Sequence, residues 1–499
     1  MEHAGKPQFI RVITRLTILY HNSTLHLKTS LPMPNNADLE LNYLSATDAL
    51  KRFRDGSLSP VELLNAHILR IEELQPELNI MRSMRFDKAM ESARRAEATY
   101  RTAPDSAGPL EGIPTVLKNE HNLVGEETDQ GSLLLAGMVD EHNAPLTDRL
   151  LEAGTVIHGR THVPEFYVAM FTRSLAHGVT RNPWNPYFTC GGSSGGSAAA
   201  LAAGMTTLAT ASDIGGSGRV PAAYCGVVGF KPSYGRVPEA SFFFAMNTYN
   251  HNCMMARTVA DAVLMFNVMN GPHPCDPASL HPKIELAVPP GDIRGMRIAL
   301  SMDLGYFQVA DDVRRNTRLA AQSLREQGAI VDEVELAWDR NVQRYFTHGL
   351  GMPLGRGLKA LTQGAEDQVS DYVRTAVELL GNITPEEYIE SIDGMGKMHN
   401  ALQDIYANYD VLLCPTLARN TMAAEGCAEA HTDLMENYMT YPFNMLSRHP
   451  VMSVPSGFGD NGVPTGLQVV GRTYREDDVI KVAHALEQAI NWPAWRPSK

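Results

Sequence analysis

The chain has 499 residues, with 43 Lys and Arg against 56 Asp and Glu, a formal charge of −13, 44% hydrophobic and 20% charged residues. This is globular composition, not that of a disordered or fibrous chain, and the acidic balance argues against a general nucleic-acid binder, whose footprint is basic. Length alone sets a prior of about 3 domains. The cysteines Cys190, Cys225, Cys253, Cys275, Cys414 and Cys427 are scattered without a C-x-x-C pair, which fits a reducing, cytoplasmic setting and offers no zinc spacing.

Residues 1–40 read as a loosely ordered extension, or as an artefact of the assigned start. Its apolar stretch is interrupted by Arg11 and Arg15. It is shorter than the ~20 apolar residues of a membrane span, and no clean cleavage site follows. Folded sequence is expected from Leu41. Ser59-Pro60-Val61-Glu62 predicts a helix start with a capping box, followed by Leu64, Ile68 and Ile71 at helical spacing and stopped by Pro76. A turn-rich stretch from Thr102 to Gly112 leads to a short strand, Ile113 to Leu117. A helix from Leu146 to Ala153 ends at Gly154, a natural left-handed cap. Val156-Ile157 is the next strand. Helices follow at Ser197 to Ala203, Ala260 to Met269, Val313 to Gln327 and Asp477 to Ile490. Strands follow at Thr206 to Ala211, Arg297 to Ser301, Val411 to Leu413 and Leu467 to Val470. The alternation predicts one α/β domain over residues 41–495, with a central twisted mixed sheet covered by helices on both faces. The more helical segment 340–430 finds no place on that sheet.

The densest signal is a pair of Gly/Ser-rich loops, Cys190 to Ala200 and Ser212 to Ala222. Flexible linkers are one reading, but each loop lies between apolar elements that should be buried. Glycine in a buried loop marks a special backbone angle or close approach. A phosphate cradle fails, because no Gly-Lys-Ser/Thr follows, and the glycine spacing is wrong for a dinucleotide site. The remaining reading is a serine nucleophile, Ser217, with backbone N–H groups facing a developing oxyanion. Such a serine needs an adjacent base, and neither loop contains histidine.

These residues resemble the signature of the amidase signature family of serine amidases. The resemblance continues through Gly226 to Val237, Gly112 to Asn119, Ala256 to Asp261, Pro442 to Asn444 and Gly466 to Gly471. It spans roughly Leu41 to Ile490 and implies the amidase signature fold. It also implies a Ser-cisSer-Lys triad: Ser217 as nucleophile, Ser193 as bridging serine on a cis peptide, and Lys118 as base. The oxyanion donors would be the N–H groups of Ile214, Gly215 and Gly216, supported by Ser194, Asp213 and Arg219. Lys118 ends an apolar strand, so burial is expected to favour its neutral form. Neutral Lys118 could then take a proton from Ser193, which takes one from Ser217.

Three positions depart from the family pattern. Cys190 stands where Pro is usual, Asn119 where Asp is frequent, and Gly218 where Ile is usual. Gly218 would leave room beside the nucleophile. Cys190 is expected to be a buried thiol rather than a nucleophile. His158 and His162 share the i, i+4 spacing of a metal pair, with Glu165 nearby, but the preceding strand and Gly159 spoil the helix such a motif needs. Pocket wall or plain structure is the expectation, with no metal and no cofactor.

The cluster Phe242 to Met246, including Phe243, reads first as core packing; the functional alternative is that it walls an apolar or aryl acyl or amine group, with Phe166, Phe171 and Met445 adding to the same pocket. On that functional reading, small apolar or aromatic amides, anilides or carbamates are expected to be preferred over charged ones. The expected partner is a small-molecule amide, with no nucleic acid and no membrane; a homodimer is left open. The alternative function is the amidase subunit of a glutamine-dependent tRNA amidotransferase. A non-catalytic binding protein is opposed by the intact Lys118, Ser193 and Ser217.

Overall fold

A computed structural model describes residues 36–240, 248–288, 290–426 and 435–497. The expected aromatic cluster with Phe243 lies outside these residues, as do Cys427 and residues 1–35. The first described helix, Asn36–Asn42, begins upstream of Leu41.

Thirteen strands are found among the described residues. They are β1 Met81–Met84, β2 Pro114–Lys118, β3 Val156–Thr161, β4 Arg173–Ser174, β5 Gly178–Val179, β6 Leu208–Ser212 and β7 Val228–Lys231. Then follow β8 Asn252–Ala256, β9 Arg297–Leu300, β10 Ile330–Glu333, β11 Val411–Pro415, β12 Val451–Phe458 and β13 Pro464–Gly471. Eleven of them form one mixed sheet in the order β1-β3-β2-β6-β8-β7-β12-β13-β11-β9-β10, while β4 and β5 pair separately. Strands β2, β3, β6, β11 and β13 are buried along their whole length. They carry little polar alternation because helices cover both faces.

The topology places the site. Strand β2 runs parallel to β3, with Lys118 opposite Thr161, and parallel to β6, with Val116 opposite Ala209. Their carboxyl ends therefore lie along one edge, the crevice position of open α/β sheets. Lys118 ends β2 and Ser212 ends β6. The buried helix Gly195–Ala202 begins just after Ser193 and Ser194, and the short helix Arg219–Cys225 just after Ser217.

The capping box at Ser59 is complete: Glu62 N–H donates to Ser59 Oγ at 3.1 Å and Ser59 N–H to Glu62 Oε2 at 2.8 Å. Pro76 does not stop the helix, which runs Pro60–Leu78 and ends on left-handed Asn79. So close to the end, the missing N–H forfeits one helical bond, while Gln75 Oε1 accepts from the N–H groups of Ile80 and Met81. Segment 340–430 supplies three helices, Asn341–Thr362, Asp371–Leu380 and Pro385–Tyr406, of which the first packs against both others.

Asp261, on the helix Val259–Met269, holds the start of the helix Ala46–Asp55. Its carboxylate accepts from Ala46 N–H at 2.9 Å, Thr47 N–H at 3.0 Å and Thr47 Oγ1 at 2.6 Å. Asp261→Ala is expected to lower stability by about 1–3 kcal/mol, because buried donors lose their acceptor. The urea midpoint would fall with an unchanged slope.

Candidate active site

Lys118 is fully buried. Its Nζ lies 2.8 Å from Ser193 Oγ and 2.7 Å from Ser212 Oγ, and 4.9 Å from the centre of the Tyr167 ring. Burial is as expected of this residue, but a carboxylate lies against it: Glu120 Oε2 is 2.7 Å from Nζ, on a side chain only 6% exposed. Burial alone would raise the Glu120 carboxyl; Lys118, His121 and Ser212 hold it below its usual value. Sequence reasoning passed over Glu120. Strand periodicity could not have found it, because β2 ends at Lys118 and Glu120 lies in the turn that follows, its N–H donating back to the Lys118 carbonyl at 2.6 Å.

The Gly192–Ser193 peptide is cis. Gly192 is required by close approach: a Cβ there would lie 2.6 Å from the Ala169 carbonyl oxygen and 2.7 Å from Phe171 N. Ser217 is 1% exposed and its Oγ has no hydrogen-bond partner among the described residues. Ser194 N–H donates to the Ser217 carbonyl at 3.3 Å, joining the two serine loops. Ser194 Oγ also donates to the Ser212 carbonyl at 3.3 Å.

The loop from Asp213 to Gly218 is held from behind. Arg219 Nε and Nη2 donate to Asp213 Oδ2 and Oδ1, both at 2.8 Å, and neither side chain is exposed. Burial would raise the Asp213 carboxyl, but Arg219, Asn444 and Lys231 hold it well below the usual carboxylate range. Asn444 Nδ2 donates to Asp213 Oδ1 at 2.8 Å and Thr440 Oγ1 to the Gly215 carbonyl at 2.7 Å. Gly216 has φ +130, and a Cβ there would overlap Thr440 Oγ1. With the Gly215 carbonyl turned to Thr440, the N–H groups of Ile214, Gly215 and Gly216 make no hydrogen bond within the described protein. Such unpaired donors on a braced loop can stabilise a developing oxyanion.

The departures and decoys resolve physically. Gly218 leaves no spare room, because Cys253 fills it: a Cβ at Gly218 would lie 3.2 Å from Cys253 Cβ. Burial pushes the Cys190 thiol up to about 12. His158 Nε2 pairs with Thr206 Oγ1 at 3.1 Å, whereas His162 packs against His177 with ring centres 5.0 Å apart. The two histidines thus serve different surroundings, and no three His, Cys, Asp or Glu among the described residues could hold a metal ion. Glu165 is structural, accepting from Ser132 Oγ at 2.6 Å and Ser370 N–H at 2.7 Å.

A cavity opens beside Ile214 and Gly215, walled by Tyr167, Met170, Phe346 and Leu350, with Tyr372 and Leu380 further along. The helical segment that found no place on the sheet is thus a wall of the site. Phe166, Phe171 and Met445 do not line this cavity. They are core residues at 1%, 0% and 6% exposure, and Phe171 packs edge-on against Tyr372. Phe166 and Tyr167 both have positive φ, 50° and 64°. That bend gives Phe166 to the core and leaves Tyr167 on the cavity.

A family model described as Amidase matches residues 62–480. The chain belongs to the amidase family. It is 32% identical to an acylamidase of Rhodococcus erythropolis, over 92% of this chain and 98% of that one. It is 32% identical to a glutamyl-tRNA(Gln) amidotransferase subunit of Thermosynechococcus vestitus, over 88% of this chain and 96% of that one. A solved bacterial aryl acylamidase of the amidase signature enzymes superposes with TM-score 0.82 at 29% identity, covering 91% of this chain and 99% of that one. This amidase is a single α/β domain and a hydrolase of carbon–nitrogen bonds in small-molecule amides, other than peptide bonds. No described helix is long and apolar enough to cross a membrane.

Removing one partner of a buried ion pair strands the other charge. Arg219→Gln is therefore expected to destabilise the amidase by about 3–5 kcal/mol, measured by chemical denaturation.

Proposed function

We propose that Ser217 is the nucleophile of the hydrolysis, Ser193 the bridging proton carrier and Lys118 the terminal base. The observation that carries this reading is the buried 2.8 Å contact between Lys118 Nζ and Ser193 Oγ. It stands beside an unpaired Ser217 Oγ and a loop of free N–H groups. Neutral Lys118 takes the Ser193 proton as Ser193 takes that of Ser217. Ser217 Oγ bonds to the carbonyl carbon, and the π electrons move to the oxygen facing Ile214, Gly215 and Gly216. Ser193 returns a proton to the leaving nitrogen, the C–N bond breaks, and water hydrolyses the acyl-enzyme by the same relay.

The cavity favours an apolar acyl group over a charged one. No charged side chain is among the described residues that line it. Its hydroxyls are already engaged with backbone. Tyr167 OH donates to the Asn119 carbonyl at 3.1 Å, Tyr372 OH to that of Arg173 at 2.6 Å and Thr375 Oγ1 to that of Asp371 at 3.3 Å. A charged acyl group would be desolvated there without a partner. The same feature weighs against glutamine, which brings an ammonium and a carboxylate, and so against the amidotransferase reading. Aromatic Tyr167, Phe346 and Tyr372 suit an aryl group, which can pack on their faces and edges.

Ser217→Ala, Ser193→Ala and Lys118→Met are each expected to cut kcat/KM for a test amide by at least about 10³-fold, with unfolding midpoints unchanged in the two serine variants and lowered in Lys118→Met, which strands the buried Glu120 carboxylate. Wild-type rates in Ser217→Ala would defeat the mechanism. In a panel of equal-sized amides, the aryl substrate should turn over faster than the aliphatic one, and glutamine slowest. Leu350→Asp should raise KM for apolar amides more than it lowers kcat.

A further inference from the structure

An ammonium has three N–H donors and no acceptor. Around Lys118 Nζ stand three oxygens, Ser193 Oγ at 2.8 Å, Ser212 Oγ at 2.7 Å and Glu120 Oε2 at 2.7 Å. All three donors are satisfied in this arrangement. Ser212 closes a ring, accepting from Lys118 and donating to Glu120 Oε2 at 2.6 Å. Tyr167 adds the face of its ring, which also favours a cation. This is a built site for the charged lysine, yet a base must present a lone pair.

We propose that Glu120 is a positioning residue of the amidase reaction, the counterion that holds Lys118 as an ammonium at rest and thereby sets the acid limb of the pH–rate profile. Lys118 enters the relay after one Nζ–H bond breaks and its proton passes to water. The electron pair left on Nζ then accepts the Ser193 proton. Glu120 touches neither substrate nor reacting atoms, and acts through Lys118 alone. This inference rests on the Ser217–Ser193–Lys118 relay.

Other groups facing the pair do not replace Glu120. His121 is fully buried, which pushes it down to about 4, so it is neutral near pH 7. Its ring is held by Thr210 Oγ1 at 2.8 Å and Asn252 Oδ1 at 3.1 Å. Burial raises the Tyr167 phenol and the Cys253 thiol well above their ordinary values, so both stay neutral. Asp213 is already matched by Arg219. Asp129 is matched by Arg82 and His177, and Asp140 by Arg160.

The sign follows directly. An opposite charge within hydrogen-bond distance favours the ammonium, so its removal lets the amine form at lower pH. The test is kcat/KM against pH for wild type, Glu120→Gln and Glu120→Asp, on one amide with an apolar acyl group. The acid limb of Glu120→Gln is expected to move about 1–3 pH units lower, and that of Glu120→Asp to move less in the same direction. If Glu120→Gln does not fold, Glu120→Asp decides alone. A purely structural residue would change the rate without moving the limb, so a limb coincident with that of wild type overturns the inference. Loss of activity at every pH in a folded Glu120→Gln also overturns it, since a neutral lysine needs no counterion. Lys118→Met separates the two ideas: wild-type activity there defeats the relay itself. Inactive Lys118→Met with an unmoved limb in Glu120→Gln defeats this inference only.

Discussion

The buried pair of Asp213 and Arg219 is the joint on which the site depends. Arg219 is not merely a counterion. Its Nη1 donates to the Thr440 carbonyl at 3.0 Å and to Gln468 Oε1 at 2.7 Å, and its Nη2 to Asn444 Oδ1 at 2.8 Å. One guanidinium thus ties the loop after β6 to strand β13 and to the segment around Thr440. Its planar, always-charged fork suits such multiple bonds in a way a lysine ammonium does not. A buried ion pair is weak evidence of net stability, but it is strong evidence of fixed geometry. Here the geometry fixed is the loop that presents Ile214, Gly215 and Gly216.

From that joint, two requirements spread outward. Both serine loops must pack closely, Gly192 against the backbone of Ala169 and Phe171 and Gly216 against the Thr440 side chain, so neither has room for a Cβ. The lysine must be dry and still have every donor met, which Ser212 at the end of β6, Glu120 in the turn after β2 and Ser193 in the loop before helix Gly195–Ala202 supply. A central sheet with both faces covered is the place where both can be met. There the parallel β3, β2 and β6 end side by side, and hydroxyls from three neighbouring segments converge without solvent.

What was legible in the sequence followed from local chemistry. The two glycine-rich loops carry their constraint residue by residue, so Ser193, Ser217 and their loops are found where the motifs put them. Strands such as Pro114–Lys118 declare themselves as apolar runs bounded by turns. What was not legible depended on distant packing. The helices between Asn341 and Tyr406 form no strand–helix alternation, and only their fold across the crevice makes Phe346 and Leu350 cavity residues. Phe166 and Tyr167 are both aromatic, and nothing in their order says which one the left-handed backbone gives to the core. Pro76 sits one turn before the end of a helix, where its cost is a single bond and a nearby Gln75 offsets it.

Chemistry and selection therefore sit on different parts of this amidase. Lys118 ends strand β2, and Ser193 and Ser217 lie in the loops that lead into the helices Gly195–Ala202 and Arg219–Cys225. The walls that would meet an acyl group come largely from the helical segment, which meets the loop after β6 through apolar Phe346 beside Gly215. Its polar links run instead to the Glu165–Arg173 loop, through Ser370 N–H to Glu165 Oε2 at 2.7 Å and through the Tyr372 hydroxyl. An apolar contact tolerates exchange of side chains of similar volume at small cost, whereas a buried charge network does not. The wall can thus change its shape while the Lys118 and Asp213 networks stay as they are. That division separates the apolar wall of the cavity from the buried polar networks behind it.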